Sequence, residues 1–135
     1  MIDTLARTTL IDRLTALLGP RGITTDASDI APWLSDWRGR YHGAALAMVA
    51  PANASELAAI VKLAAETGTP IVPQGGNSGM VGGATPDQRG NALLLSTRRM
   101  NAIRSIDTAA RTVVAEAGVV LQTLHEAVAA QGMRF

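Results

Sequence analysis

The sequence predicts an α+β domain in which a strand–helix–strand unit is followed by antiparallel strands, and three observations lead there. Residues 45–49 form a short apolar run ending at Pro51, a helical pattern follows over 54–67, and a second short run falls at 70–73. Residues 103–106 and 112–117 then flank the turn-forming stretch 107–110, with Val113, Ala115 and Ala117 alternating against Val114 and Glu116, as in a hairpin. Directly after the second run comes Pro73-Gln74-Gly75-Gly76-Asn77-Ser78-Gly79-Met80-Val81-Gly82-Gly83, with five glycines in the nine positions 75–83.

The first element is an amphipathic helix of about three turns, because Leu10, Ile11, Leu14, Leu17 and Leu18 recur at helical spacing before the Gly19-Pro20 stop. Residues 22–43 show no period and read as a structured surface loop, with Trp33 and Trp37 as packing anchors. Asn53 and Glu56 make a capping box for the helix at 54–67. Leu57, Ile60, Val61 and Ala64 give that helix its apolar face, Gly68 ends it and Pro70 stops its continuation. The strand–helix–strand crossover places the glycine run at the carboxyl end of its second strand, where open α/β sheets bind ligands. Leu93 to Ser96 is a further strand, and after Gly118 comes a helix on which Leu121, Leu124 and Val128 share a face.

Glycine leaves no Cβ in the way and reaches positive φ, so such a run can turn several N–H groups inward as a nest for an anion, above all a pyrophosphate. Neither common phosphate fingerprint is present. No glycines follow the G-x-G-x-x-G spacing, and the lone lysine, Lys62, rules out a Gly-Lys-Ser/Thr loop. A flexible turn without ligand is the alternative that the segment alone leaves open.

With 135 residues, 47% of them hydrophobic, the chain has the size of one domain and can bury a core. A net charge of +1 and scattered arginines give no basic stripe, so nucleic acid is not an expected partner and small molecules are. The absence of cysteine excludes disulfides and thiolate chemistry and agrees with a reducing, cytoplasmic compartment. Polar and charged residues such as Arg7, Asp12 and Arg13 interrupt the N-terminus where a signal peptide has its apolar core, and no stretch is apolar enough to span a bilayer. Catalytic candidates are sparse. His125 falls in the apolar arc of the last helix and reads as a core or edge histidine, His42 reads as a surface residue, and Asp36, Asp87 and Asp107 sit in turn contexts. No catalytic or metal-ligating residue is assigned.

The segment 73–86 (PQGGNSGMVGGATP) resembles the FAD pyrophosphate loop of the vanillyl-alcohol oxidase and p-cresol methylhydroxylase (PCMH) superfamily. The resemblance extends to Asp36-Trp37-Arg38-Gly39-Arg40-Tyr41-His42-Gly43, Met48-Val49-Ala50-Pro51, Leu94-Leu95-Ser96, Arg99-Met100-Asn101-Ala102-Ile103 and Glu116-Ala117-Gly118-Val119. Within the superfamily the chain is most similar to the D-2-hydroxyacid dehydrogenases, the D-2-hydroxyglutarate branch in particular. The resemblance implies the first part of a two-subdomain PCMH-type FAD-binding domain, with residues 1–41 as N-terminal helix and entry loop and 42–135 as a partial, C-terminally truncated flavin domain.

It also implies a cofactor site at Pro73, Gly75, Gly76, Asn77, Ser78, Gly79, Met80, Gly82, Gly83, Gly118 and Val119. Members with covalent flavin often have histidine where this chain has Asn77, so the FAD is expected to be non-covalent. The implied activity of the parent protein is oxidation of a D-2-hydroxyacid, such as D-2-hydroxyglutarate or D-lactate, to the 2-oxoacid, with passage of electrons to an acceptor. Substrate-binding, base and metal-ligating residues are expected beyond Phe135, so the chain is expected to be an N-terminal fragment, inactive alone. The alternative is a non-catalytic nucleotide-binding module or inactive remnant.

Overall fold

The computed structural model describes residues 4–135. Helix α1 (Thr4–Leu18) leads through strand β1 (Ile23–Thr24), the short helix α2 (Ala27–Ile30) and a 3-10 turn (Ala31–Trp33) to β2 (Ala47–Val49). Then follow α3 (Ala54–Thr67), β3 (Ile71–Gln74), β4 (Leu93–Ser96), the pair β5 (Ile103–Asp107) and β6 (Thr112–Ala115), and α4 (Leu121–Ala129).

The main sheet has the order β1-β2-β4-β3. Strand β1 runs antiparallel to β2, while β2, β4 and β3 are mutually parallel. Strand β4 therefore lies between the two strands that α3 connects. Successive side chains of a strand point to opposite faces, and both faces here are covered. Ala47, Val49, Leu93 and Leu95 pack with Leu10, Leu14 and Leu18 of α1 and Ile60, Leu63 and Ala64 of α3. On the other face Met48 and Leu94 meet Ile30, with Trp33, Leu34 and Val72 alongside. Burial on both faces is why β4 is the continuous apolar run Leu93-Leu94-Leu95 rather than an alternating one. Pro73 lies in β3 at the open edge of the sheet, where its missing N–H costs no ladder bond.

The ends of α3 follow the expected chemistry. Asn53 Oδ1 accepts from the Glu56 N–H at 2.9 Å, and Glu56 Oε2 reaches back to the Ala52 N–H at 2.7 Å. Gly68, at φ +63°, donates its N–H to the carbonyls of Ala64 and Ala65.

Several expectations are corrected. Residues 22–43 are more regular than a loop, because Asp26 caps α2 by accepting from the Ser28 and Asp29 N–H groups, and Pro32 opens the 3-10 turn. Helix α1 reaches back to Thr4, giving it 15 residues, and Leu17 lies at its exposed margin. On α3 the buried face runs through Leu63, leaving Val61 exposed. Trp37 is 58% exposed and anchors no core; the Arg38 guanidinium lies 4.9 Å over its ring. His125 is exposed as well, one step round α4 from the buried Leu124, and its ring faces Phe135 at 6.0 Å. The hairpin is present but irregular. A bulge lies between Ile103 and Ser105, and β6 stops at Ala115, two residues before the expected Ala117.

Candidate functional site

Because β3 and β4 are parallel neighbours, the segments that follow them leave the sheet at the same end. Gly75 and Gly76 follow β3, Thr97 and Arg98 follow β4, and the Thr97 N–H donates to the Gln74 carbonyl at 3.1 Å. Ala117 and Gly118 return to this place after the hairpin. The Thr97 hydroxyl donates to the Ala117 carbonyl at 3.1 Å, and the Gly118 N–H to the Met100 carbonyl at 2.8 Å. The result is a groove of about 250 Å³ lined by Gly75, Gly76, Ser96, Thr97, Ala117 and Gly118, with Trp33, Arg98 and Val120 at its margins. The start of the glycine run and Gly118, 42 residues apart at Gly76 and Gly118, thus line one groove.

Beyond Gly76 the loop leaves the groove. Backbone N–H groups from Gly75 to Gly83 meet no protein acceptor among the described residues. A Cβ built on Gly76, Gly79 or Gly83 meets nothing within 4 Å, and one on Gly75 only the Thr97 hydroxyl at 3.9 Å. Positive φ is confined to Asn77 (53°) and Gly82 (73°), so the run is not the succession of left-handed peptides that its composition alone permits. Ser78 and Met80 are exposed, and Val119 is half-buried with its N–H bonded to the Glu116 carbonyl. Val120 rather than Val119 lines the groove.

Gly118 has a structural requirement of its own. A Cβ there stands 2.0 Å from the Thr97 carbonyl oxygen and 2.8 Å from that of Met100, so the space beside it belongs to the chain's own backbone. The bare Cα lets the two segments approach this closely beside the groove.

Sequence reasoning missed Gln74. Its side chain is 2% exposed, and Nε2 donates both to the Trp33 carbonyl at 3.0 Å and to the Ala84 carbonyl at 2.9 Å. The second bond ties the two ends of the glycine loop together. Oε1 is buried with no protein partner among the described residues. A polar residue at the strand position two after Val72, on the inward face, was the available signal. Thr97 and Arg98 could have been found by applying the rule of parallel-strand ends to β4 as well as to β3.

Asp36, 6% exposed, accepts from the backbone N–H groups of Tyr41 and Arg40, each at 2.7 Å, and from that of Arg38 at 3.4 Å. These bonds, that of Tyr41 foremost, hold its carboxyl below the usual carboxylate range. His42 is bonded to the Ser35 hydroxyl and the Gly39 carbonyl, and Asp87 and Asp107 accept from turn N–H groups, as their contexts predict. Among the described residues no group of acidic, histidine or cysteine side chains could hold a metal ion. A larger cavity of about 390 Å³ lies far from the glycine loop, between the hairpin and the end of α4, and is lined by Arg111, Val113, Val128 and Phe135 among others.

A glycine loop with open N–H groups at the carboxyl end of parallel strands, beside a groove, is a setting in which α/β sheets bind ligands. Residues 45–135 match the FAD binding domain family, and the chain belongs to that family. The mitochondrial D-2-hydroxyglutarate dehydrogenase of Bos taurus is 34% identical over 113 residues, covering 84% of this chain and 20% of that protein. An uncharacterized FAD-linked oxidoreductase of Mycobacterium tuberculosis is 39% identical over 85 residues, 63% of this chain and 18% of that one. Among solved structures, p-cresol methylhydroxylase with substrate bound superposes with a TM-score of 0.83 at 23% identity, covering 97% of this chain and 26% of that chain. The PCMH-type fold expected from the sequence is therefore present, and the chain spans about a fifth of the length of the bovine relative.

The residues fit FAD. Open N–H groups and the empty Cβ positions at Gly76, Gly79 and Gly83 leave room for a pyrophosphate against the backbone. Arg98, the one charged residue along the groove among those described, supplies a cation 5.9 Å over the Trp33 ring. No helix among the described residues is long and apolar enough to cross a membrane.

Proposed function

We propose that this chain is the FAD-holding portion of an oxidoreductase that converts D-2-hydroxyacids, D-2-hydroxyglutarate or D-lactate among them, to 2-oxoacids in the cytoplasm. The observation that carries the first half is the loop from Gly75 to Gly83, whose N–H groups have no protein acceptor among the described residues and whose Gly76, Gly79 and Gly83 face open space. The likeness to a D-2-hydroxyglutarate dehydrogenase supports the second half.

In this reading residues 1–41, of which 1–3 lie outside the described residues, serve as helix and entry loop and 42–135 as the flavin-domain portion. Backbone N–H groups of Gly75, Gly76, Asn77, Ser78, Gly79, Gly82 and Gly83 donate to the pyrophosphate, with the Ser78 hydroxyl assisting. Pro73 stiffens the approach to the loop and Met80 flanks it, while Gly118 and Val119 border the ring or ribityl side of the cofactor. A bound flavin supplies the acceptor for a hydride; the protein supplies position and electrostatics. Arg98 offsets phosphate charge, and Trp33 gives the groove an apolar wall. Following the resemblance to the D-2-hydroxyacid dehydrogenases, the groups that bind and polarise the hydroxyacid are assigned to none of these residues.

Flavin absorbance of the purified chain with and without FAD, followed by assay with D-2-hydroxyglutarate, D-lactate and an artificial electron acceptor, tests the reading. FAD uptake without turnover above the free-flavin background is expected. Absence of uptake favours an inactive remnant. Turnover by these residues alone contradicts the assignment of the chemistry to other sequence.

A further inference from the structure

A series of contacts joins residues 33–41 to the glycine loop, advancing in step along both segments. Gln74 Nε2 donates to the Trp33 carbonyl at 3.0 Å, Asn77 Nδ2 to the Ser35 carbonyl at 2.7 Å, and Arg38 Nη2 to Met80 Sδ at 3.3 Å; these partners stand 41 or 42 residues apart. Last in order, the Tyr41 ring lies 2.9 Å from where a Cβ on Gly82 would stand. The two segments run side by side in the same direction, joined through side chains of both rather than by a backbone ladder.

The upstream partner is itself fixed. Asp36 gathers the N–H groups of Arg38, Arg40 and Tyr41, the Asp36 N–H donates to the Tyr41 carbonyl at 3.1 Å, and the Gly43 N–H to the Leu34 carbonyl at 2.8 Å. The Ser35 hydroxyl and His42 Nδ1 close the base of this turn at 2.7 Å. All of it precedes residue 45, where the match to the FAD binding domain family begins.

We propose that residues 33–41 are a clasp that holds the glycine loop in its cofactor-ready shape, with Asn77 and Gln74 as positioning residues; this rests on the reading that the loop holds FAD. A glycine-rich backbone loses more conformational freedom on ordering than any other. This one is held by no backbone hydrogen bond from Gly75 to Gly83 apart from the Thr85 N–H to the Gly82 carbonyl, among the described residues. What fixes it is the clasp. Gln74 joins its ends to Trp33, Asn77 pins its middle in the left-handed conformation, and Tyr41 backs Gly82. A loop that adopts the binding shape only part of the time binds more weakly by that fraction. By reciprocity, cofactor binding must also tighten the clasp.

The test uses the full chain and two variants. Asn77→Gly keeps the positive φ and deletes the donor; Asn77→Asp keeps the side-chain shape but cannot donate to the Ser35 carbonyl when ionised. FAD affinity is measured by quenching of flavin fluorescence. Trypsin cleavage after Arg38 and Arg40 is followed with and without FAD, with cleavage after Arg104 and Arg111 as internal reference. Both variants are expected to bind FAD about tenfold more weakly and to be cut several-fold faster at Arg38 and Arg40, with unchanged cleavage at the reference sites. FAD should slow cleavage at Arg38 and Arg40 in the wild type and do so less in the variants. Faster cleavage with unchanged affinity makes the contacts merely structural and overturns the proposal. Wild type that binds FAD, beside variants that match it in affinity and resistance, overturns the clasp alone; wild type that takes up no FAD overturns the cofactor reading and the clasp with it.

Discussion

The Thr97 carbonyl oxygen stands 2.0 Å from the position that a Cβ on Gly118 would take, so the turn after β4 and the turn before α4 can cross only because residue 118 is glycine. Gly118→Ala is therefore expected to destabilise the fold by about 1–3 kcal/mol through overpacking against backbone. Denaturant unfolding of the variant measures it.

Gly82 and Gly79 make a contrasting pair within one loop. Gly82 has φ +73° with the Tyr41 ring at 2.9 Å from its Cβ position, while Gly79 faces open space at an ordinary φ. Gly82→Ala is expected to cost about 1–2 kcal/mol for the left-handed backbone alone, and Gly79→Ala to stay within about 0.5 kcal/mol of wild type. Paired thermal melts decide it. Equal stabilities would show that the loop has another shape.

Acid should loosen the entry segment through Asp36. Its carboxyl is held below the usual range by the N–H groups of Tyr41, Arg40 and Arg38, so it stabilises the fold above the ordinary carboxylate pKa. That stabilisation disappears as pH falls through the lowered value. Wild type is thus expected to exceed Asp36→Asn in stability at pH 6, and the gap to close towards pH 3. A gap independent of pH would mean that the charge of Asp36 plays no part.

Flavin bound by this protein should come away on denaturation. The chain has no cysteine, and Asn77, where related flavoproteins with a covalent link often carry histidine, spends its side chain on the Ser35 carbonyl. Acid precipitation is expected to leave a colourless pellet and a yellow supernatant. A yellow pellet with attachment mapped to residues 73–83 contradicts this.

Much of the fold was legible because its signals are local. Asn53, Glu56 and Gly68 mark the ends of α3 through hydrogen bonds to their own neighbours, and the unbroken run Leu93-Leu94-Leu95 carries the mark of a strand buried on both faces. Non-local facts were not legible. That β4 enters between β2 and β3, that Trp37 lies outside while Trp33 borders the groove, and that Gln74 reaches across to Trp33 all depend on how distant segments meet. The site divides the same way. Composition announced a glycine loop at the end of β3, but Thr97 and Arg98 became visible only once β4 was placed beside β3.

If Gly75 to Gly83 hold the pyrophosphate of FAD against bare backbone, Gly76→Val must lose FAD affinity and keep its fold. A Cβ on Gly76 meets no protein atom within 4 Å, and its φ is not left-handed, so the variant should fold like wild type. Its added bulk fills the space that the cofactor needs. Titrating FAD into both proteins while following flavin fluorescence should give saturable binding to wild type and at least about a tenfold loss, on the order of 1.4 kcal/mol, in the variant. A folded Gly76→Val protein that binds FAD as tightly as wild type would mean that the pyrophosphate does not lie against this loop.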